Sequence, residues 1–238
     1  MLILDFSGAY EEEGWLSFLK EERWDFTRVD LRDMTGACRY CDEDAEVEIR
    51  RRIRGKEAQL RWIDSGDYHY MTKILSDGEK IPFTLVLVDN HPDDQEPAFG
   101  NILSCGGWVG AMKNSNPLLE AVWTLGPEGR IRSDEGKTDR PLEGDIDDLL
   151  RAVEGKRIYL SLDKDVLSRR HARTGWSQGA YSLENLKRWL VPLLERHPVA
   201  VDICGEWQAS QGATPEDLRI NFETNVDLLL FIADHLNN

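Results

Sequence analysis

The sequence predicts an α/β fold, a mostly parallel central sheet with helices on both faces. Two observations carry that expectation. Short unbroken apolar runs alternate with helix-like stretches, and acidic clusters close two of those runs, where ligands of parallel sheets gather. The strand-like runs are Leu2 to Phe6, Phe26 to Val29, Leu60 to Ile63, Thr84 to Val88, Ala121 to Leu125, Ile158 to Leu162 and Val199 to Ile203. Unbroken apolar composition suits strands covered on both faces. Between them, helices are expected over Tyr10 to Glu21, Asp42 to Arg52, Tyr70 to Ser76, Ile146 to Val153, Ser182 to Arg196 and Pro215 to Leu236. Ser182 offers an N-cap, and Pro215 sits in a first helical turn, where its missing N–H is harmless. Gly126 to Gly144, rich in charge and glycine, is expected to be the most mobile loop. No repeat or Pro/Gly/Ser linker splits the pattern, so residues 1–238 are expected to form one domain.

Composition narrows the function. The 238 residues are 41% hydrophobic, enough for a sizeable core, and the formal charge is -15. Binding phosphates requires Lys and Arg to displace counterions, so that charge disfavours nucleic acid and anionic membranes and favours a cationic substrate. Met1-Leu-Ile-Leu-Asp5 meets an acid too soon for a secretory segment, and no apolar stretch approaches the ~20 residues of a spanning helix; a cytoplasmic protein is expected. Four cysteines make a poor disulfide framework in such a chain. Cys38-Arg-Tyr-Cys41 is an isolated CxxC read as ordinary loop thiols, and Cys105 and Cys204 are expected in the core. The oligomeric state is left open, since Pro215 to Leu236 could serve a subunit contact or cover the sheet.

The chemistry lies in three segments. Thr84-Leu-Val-Leu-Val-Asp89-Asn-His91-Pro-Asp93 and Arg157-Ile-Tyr-Leu-Ser-Leu-Asp163-Lys-Asp165 each end in acids at alternate positions, which lie on one side of an extended chain. Trp62-Ile-Asp-Ser-Gly66-Asp67-Tyr68-His69 runs from a strand into a glycine turn that presents a histidine. Together these pieces form a cradle for metal ions. In this order they resemble the arginase or ureohydrolase superfamily, with its glycine-Asp-His turn, Asp-x-His-x-Asp strand end and Ser-x-Asp-x-Asp strand end. The resemblance implies a three-layer sandwich around a mostly parallel, roughly eight-stranded sheet. It also implies two manganese ions, one held by His69, Asp89, Asp93 and Asp163, the other by Asp89, His91, Asp163 and Asp165. Carboxylates with a few imidazoles suit a hard divalent ion, and no thiolate lies near these positions in the sequence. Two such ions would offset the repulsion of four close carboxylates and lower the pKa of a water.

The resemblance further implies hydrolysis of a guanidinium or amidine carbon. Glu206, in Val201-Asp-Ile-Cys-Gly-Glu206, resembles the family glutamate that pairs with the guanidinium, shifted by one residue; Asp202 is the fallback. The family's proton-shuttle histidine is missing from Gly100-Asn101-Ile-Leu103-Ser104-Cys105-Gly106-Gly107-Trp108. Asp93 or His171 could take over proton transfer, although His171 beside Arg169, Arg170 and Arg173 also reads as a surface residue. Trp108 and Trp176, with Gln178, are expected to line an open aromatic mouth. That pattern looks like the peptide arginases, which convert arginine residues of precursor peptides to ornithine with release of urea. Three alternatives stay open: an agmatinase-like hydrolase of a small guanidine or formimino compound, a single-zinc deacetylase, and a non-catalytic metal-binding homologue.

Overall fold

The computed structural model describes residues 1–97, 100, 102–126, 131–133, 142–144 and 146–236. The strands are β1 (Leu2–Asp5), β2 (Thr27–Asp30), β3 (Tyr40–Cys41), β4 (Leu60–Trp62), β5 (Phe83–Val88), β6 (Leu103–Ser104), β7 (Leu119–Leu125), β8 (Ile131–Ser133), β9 (Leu142–Gly144), β10 (Ile158–Asp163) and β11 (Ala200–Cys204). The helices are α1 (Ala9–Glu12), α2 (Trp15–Glu21), α3 (Glu43–Ile53), α4 (Met71–Ser76), α5 (Trp108–Ser115), α6 (Ile146–Ala152), α7 (Leu183–Leu194) and α8 (Pro215–Leu236).

Nine strands form one sheet in the order β2-β1-β4-β11-β10-β5-β7-β8-β9. From β2 to β7 every pairing is parallel, and β8 and β9 extend the edge as an antiparallel hairpin. Alternation along each strand feeds two cores. Val86, Val88, Leu160 and Leu162 pack on one face with α2, α7 and α8, whereas Leu85, Leu87 and Tyr159 pack on the other with α3, α4 and α5. All six residues of β5 and of β10 are buried, as strands covered by helices on both sides must be.

All seven strand-like runs are strands of this sheet. The helix expected over Tyr10 to Glu21 is instead two, because Gly14 takes a left-handed φ of 80° between α1 and α2. Within Gly126 to Gly144, the expected loop, the described residues include the β8–β9 hairpin. The two-stranded β3–β6 sheet and helix α5 had no periodic signal, being too short or too rich in glycine. α3 begins on Asp42, whose carboxylate accepts the Ala45 N–H at 2.8 Å.

The order β4-β11-β10-β5 sets four strand ends side by side. Asp163 at the end of β10 is paired with Cys204 of β11, and Leu162 with Val88, one residue before Asp89. The three acidic or histidine-bearing segments therefore emerge on one rim of the sheet.

Candidate metal centre

Each segment is fixed locally before it reaches the rim. After β4, Asp64 adopts φ 78° and its carboxylate accepts the backbone N–H groups of Phe6 at 2.7 Å and Ser7 at 2.8 Å, tying this turn to the end of β1. A 3-10 turn over Gly66–Tyr68 then delivers His69. A Cβ on Gly66 would sit 3.0 Å from Asp163 Oδ2 and 3.1 Å from Trp176 Cδ1, so any side chain here would push these neighbours back by a few tenths of an ångström. At the end of β10, Asp163 Oδ1 accepts the Asp165 N–H at 2.8 Å and closes a second 3-10 turn. Asp89 likewise accepts the N–H of His91 at 2.6 Å.

The predicted ligands converge. His69 Nδ1 lies 3.0 Å from Asp93 Oδ2, 3.2 Å from Asp89 Oδ2 and 3.6 Å from Asp163 Oδ2. Ligands placed around one ion at 2.0–2.2 Å are separated by about 3.0–3.5 Å. His69, Asp89 and Asp93 bring ligand atoms within 4.8 Å of one another, as do Asp89, His91 and Asp165, whereas Asp163 groups with His69 and Cys204. His91 Nδ1 lies 2.7 Å from Asp165 Oδ2 and 3.7 Å from Asp89 Oδ1. Asp89 thus turns one oxygen to each histidine. Both imidazoles are oriented through their other nitrogen, His69 Nε2 by Ser161 Oγ at 2.9 Å and His91 Nε2 by Ser177 Oγ at 2.8 Å, the arrangement that presents Nδ1 to a cation. Buried His69 Nδ1 and Asp89 Oδ2 have no hydrogen-bond partner among the described residues. Buried polar atoms are seldom left so, and a cation between them satisfies both.

Electrostatics agree. Burial first, then the charge of Asp89, pushes the Asp93 carboxyl up to about 7. Burial and neighbouring carboxylates raise Asp163 and Asp165 also. Burial opposes ionisation of Asp89 too, but the adjacent imidazoles of His69 and His91 and the His91 N–H hold it down at about 2. Carboxylates crowded in this way repel one another, and bound cations relieve the repulsion.

A cavity of about 230 Å³ opens on the centre, lined by Asp89, His91, Asp93, Asp163 and Asp165 together with Arg39, Tyr40, Gln95, Ser104, Cys105 and Trp176. A larger depression of about 760 Å³, lined by Arg54, Arg61, Glu79 and Arg157 among others, carries neither acidic cluster and lies at the opposite edge, where β4, β10 and β11 begin.

Several expected site residues lie elsewhere. Trp108 is fully buried, and its Nε1 donates to Asp93 Oδ2 at 2.6 Å; it braces a carboxylate rather than lining a mouth. Glu206 is buried away from the cavity in an ion pair with Lys164 Nζ at 2.5 Å. The inserted Gly205 explains this: φ there is 107°, and a Cβ would stand 2.8 Å from Asp163 Oδ1, so no side chain fits where the strand meets the site. Asp202 faces Tyr159, whose hydroxyl donates to it at 2.6 Å. His171 sits on the loop between β10 and α7, where Thr224 Oγ1 of α8 donates to its carbonyl, and it does not line the cavity. Gln178 staples its own loop, donating to the carbonyls of Leu167 and Ala172. Trp176 does line the cavity. Cys204 corrects the expectation of a centre without thiols: its Sγ is 3.1 Å from Asp163 Oδ2 and joins His69 and Asp163 in a cluster of ligand atoms within 4.8 Å of one another.

The comparisons with known proteins follow the geometry. No protein-family model matches the chain. Solved structures similar to it include formimidoylglutamase from Bacillus subtilis (TM-score 0.66, 13% identity, covering 99% of this chain and 86% of that one). Proclavaminate amidino hydrolase from Streptomyces clavuligerus has TM-score 0.62 at 15% identity, over 99% of this chain and 91% of that one. Entamoeba histolytica arginase in complex with L-ornithine has TM-score 0.60 at 12% identity, over 99% and 97%. The fold is therefore that of the arginase-type ureohydrolases. Within that fold, the chain belongs to one family with a Thermotoga maritima protein described as uncharacterized, 31% identical over 206 residues that span 86% of this chain and 78% of its relative.

Proposed function

We propose that this chain is a metal-dependent hydrolase that cleaves a carbon–nitrogen bond of a guanidino or amidine group. His69, Asp89, Asp93 and Asp163 would hold one divalent ion, and Asp89, His91, Asp163 and Asp165 a second. The observation that carries the reading is the pair of oriented imidazoles facing opposite oxygens of Asp89, with an unpartnered His69 Nδ1 between three carboxylates. The donor set, imidazole and carboxylate, suits manganese. When bound, such a pair lowers the pKa of a water and polarises the carbon it attacks. The chain's own residues then hold and orient that site: Trp108 Nε1 donates to Asp93 Oδ2, and Asp93 lines the cavity in which the reacting groups would sit. The neighbours' names, an amidino hydrolase, a formimidoylglutamase and an arginase, favour an amidine-type carbon.

Arginine carried on a peptide is the favoured substrate, with ornithine and urea as products. The support is the entrance: Tyr40 and Trp176 leave an aromatic rim, and a cavity of about 230 Å³ admits the end of a side chain but little more. The test is reconstitution with Mn²⁺, followed by metal analysis and assay of urea from an arginine-containing peptide, free arginine and agmatine. Two ions per chain and urea from the peptide support the reading. Loss of all metal on gel filtration, or stable loading without release of urea from any of the three, overturns it.

A further inference from the structure

Among the described residues that line the cavity there is one permanent cation, Arg39, and the sequence alone did not single it out. The carboxylates lining it, Asp89, Asp93, Asp163 and Asp165, belong to the metal cluster, and Arg39 is the only lysine or arginine on its described wall. With two divalent ions bound, four carboxylates are neutralised, and no acid is left on that wall to receive a second positive group on a substrate.

Arg39 is held as a recognition group is held. Its backbone takes φ 62°, a left-handed conformation unusual for arginine, and is pinned on both sides: its N–H donates to the Asp67 carbonyl at 3.1 Å and its carbonyl accepts the Cys105 N–H at 2.9 Å. Its Nε donates to Asp67 Oδ1 at 3.0 Å, and its guanidinium carbon lies 5.2 Å from the centre of the Trp176 ring. Asp67 is itself buried and fixed by Trp176 Nε1 at 3.1 Å and Gln211 Nε2 at 3.2 Å. The pair with Asp67 uses only Nε. Among the described residues, neither Nη1 nor Nη2 has a hydrogen-bond partner, so an edge of two parallel donors remains. The same Trp176 ring lies 6.1 Å from the ring of His91, which links the arginine to the metal cluster through one side chain.

We propose that Arg39 is a specificity residue that binds a carboxylate on the substrate, so that the substrate is an amidine or guanidine bearing an anionic group and not a dication such as agmatine. This rests on the hydrolase reading and narrows its substrate class. A planar guanidinium clamped through Nε and stacked on an indole offers bidentate contact to a carboxylate at little cost in side-chain entropy. The carboxylate could be the substrate's own, as in a free ω-guanidino acid, or that of an acidic residue beside an arginine in a peptide.

Calorimetric binding to the Mn²⁺-loaded protein tests this without requiring turnover. The ligands are 4-guanidinobutyrate, agmatine, and two peptides that carry arginine beside either glutamate or glutamine. Native protein should bind the acid at least tenfold tighter than agmatine. Arg39→Ala should weaken the acid ~10- to 100-fold while leaving agmatine and metal content within about twofold, and Arg39→Lys should recover part of the loss. A preference for the glutamate peptide over the glutamine peptide that Arg39→Ala removes assigns the carboxylate to a peptide; tight binding of 4-guanidinobutyrate alone assigns it to a small acid. Equal losses for acid and amine in Arg39→Ala, or a native preference for agmatine, overturn the proposal. Where the ligands turn over, the effect should fall on KM and not on kcat. If they bind in the predicted order but release no urea, the hydrolase reading fails and the role of Arg39 stands.

Discussion

The indole of Trp108 donates to Oδ2 of Asp93 at 2.6 Å, and that same oxygen stands 3.0 Å from Nδ1 of His69. Asp93 adopts φ 49°, so its backbone is strained and its orientation depends on outside support. Trp108→Phe keeps most of the buried ring and removes the donor. The expected result is a ~10- to 100-fold loss of metal affinity, the usual effect of deleting a partner of a ligand. Competition with a chelator measures it, and unaltered affinity would reduce Trp108 to packing.

Metal binding should also stabilise the fold, because without cations the rim holds four mutually repelling carboxylates. At a free Mn²⁺ concentration near a thousand times Kd, linkage gives about 4 kcal/mol. For a chain of this length that is on the order of 10 °C in Tm. Asp163→Asn keeps an oxygen to accept the Asp165 N–H and removes one charge. It should abolish the Mn²⁺-dependent rise while leaving the chelated protein at least as stable as native chelated protein. A Tm insensitive to chelator and to Mn²⁺ would contradict the metal centre.

Cys204 offers a finer test of the same rim. Its thiol donates to Asp163 Oδ2 at 3.1 Å in a fully buried setting. Cys204→Val conserves shape and leaves that oxygen without its donor, whereas Cys204→Ser retains one. Metal affinity should drop about tenfold or more in the valine variant and recover in the serine variant. Equal affinity in all three proteins would show that the thiol only fills space.

The six candidate ligands were legible because each lies within a few residues of a strand end, where alternation decides which side chains share a face. Asp89 and His91 needed only that rule, whereas Asp93 reaches the site through a left-handed φ of 49° that alternation does not state. What needed register was not legible. The pairing of Asp163 with Cys204 depends on how β10 lies against β11, which no local pattern states; Cys204 is in the core as expected, but its contact with the centre was not legible. Glu206 was misplaced because the insertion of Gly205 was treated as a shift along a line, whereas a left-handed glycine redirects the chain. Arg39 escaped notice inside a CxxC loop. Its role depends on Asp67 and Trp176, which lie 28 and 137 positions further along the sequence and meet only in the folded protein.

Behind the rim lies a second buried cluster whose titration should shape stability. Lys164, between two candidate ligands, donates to Glu206 Oε1 at 2.5 Å and to Asn225 Oδ1 at 2.8 Å. Asn225 Nδ2 in turn donates to Glu206 Oε1 at 3.0 Å and to Glu13 Oε2 at 3.1 Å. Among the described residues, Glu13 Oε1 and Glu206 Oε2 are buried with no donor of their own. One proton on Glu13, shared with Glu206, satisfies both oxygens. Burial first, then the charge of Glu206, raises the Glu13 carboxyl well above its ordinary 4.5. The folded protein therefore binds a proton that the unfolded chain releases above about 4.5. The stability contributed by that proton is fully present below this pH and is lost as pH rises toward the folded-state value. Glu13→Gln supplies a permanent donor in the same place and removes the titration. It should flatten the decline in stability between pH 5 and 9 and raise stability at pH 8 by ~1–3 kcal/mol, a gain of a few degrees in Tm. Urea unfolding at several pH values reads both, and identical pH slopes in the two proteins would mean that Glu13 carries no shared proton.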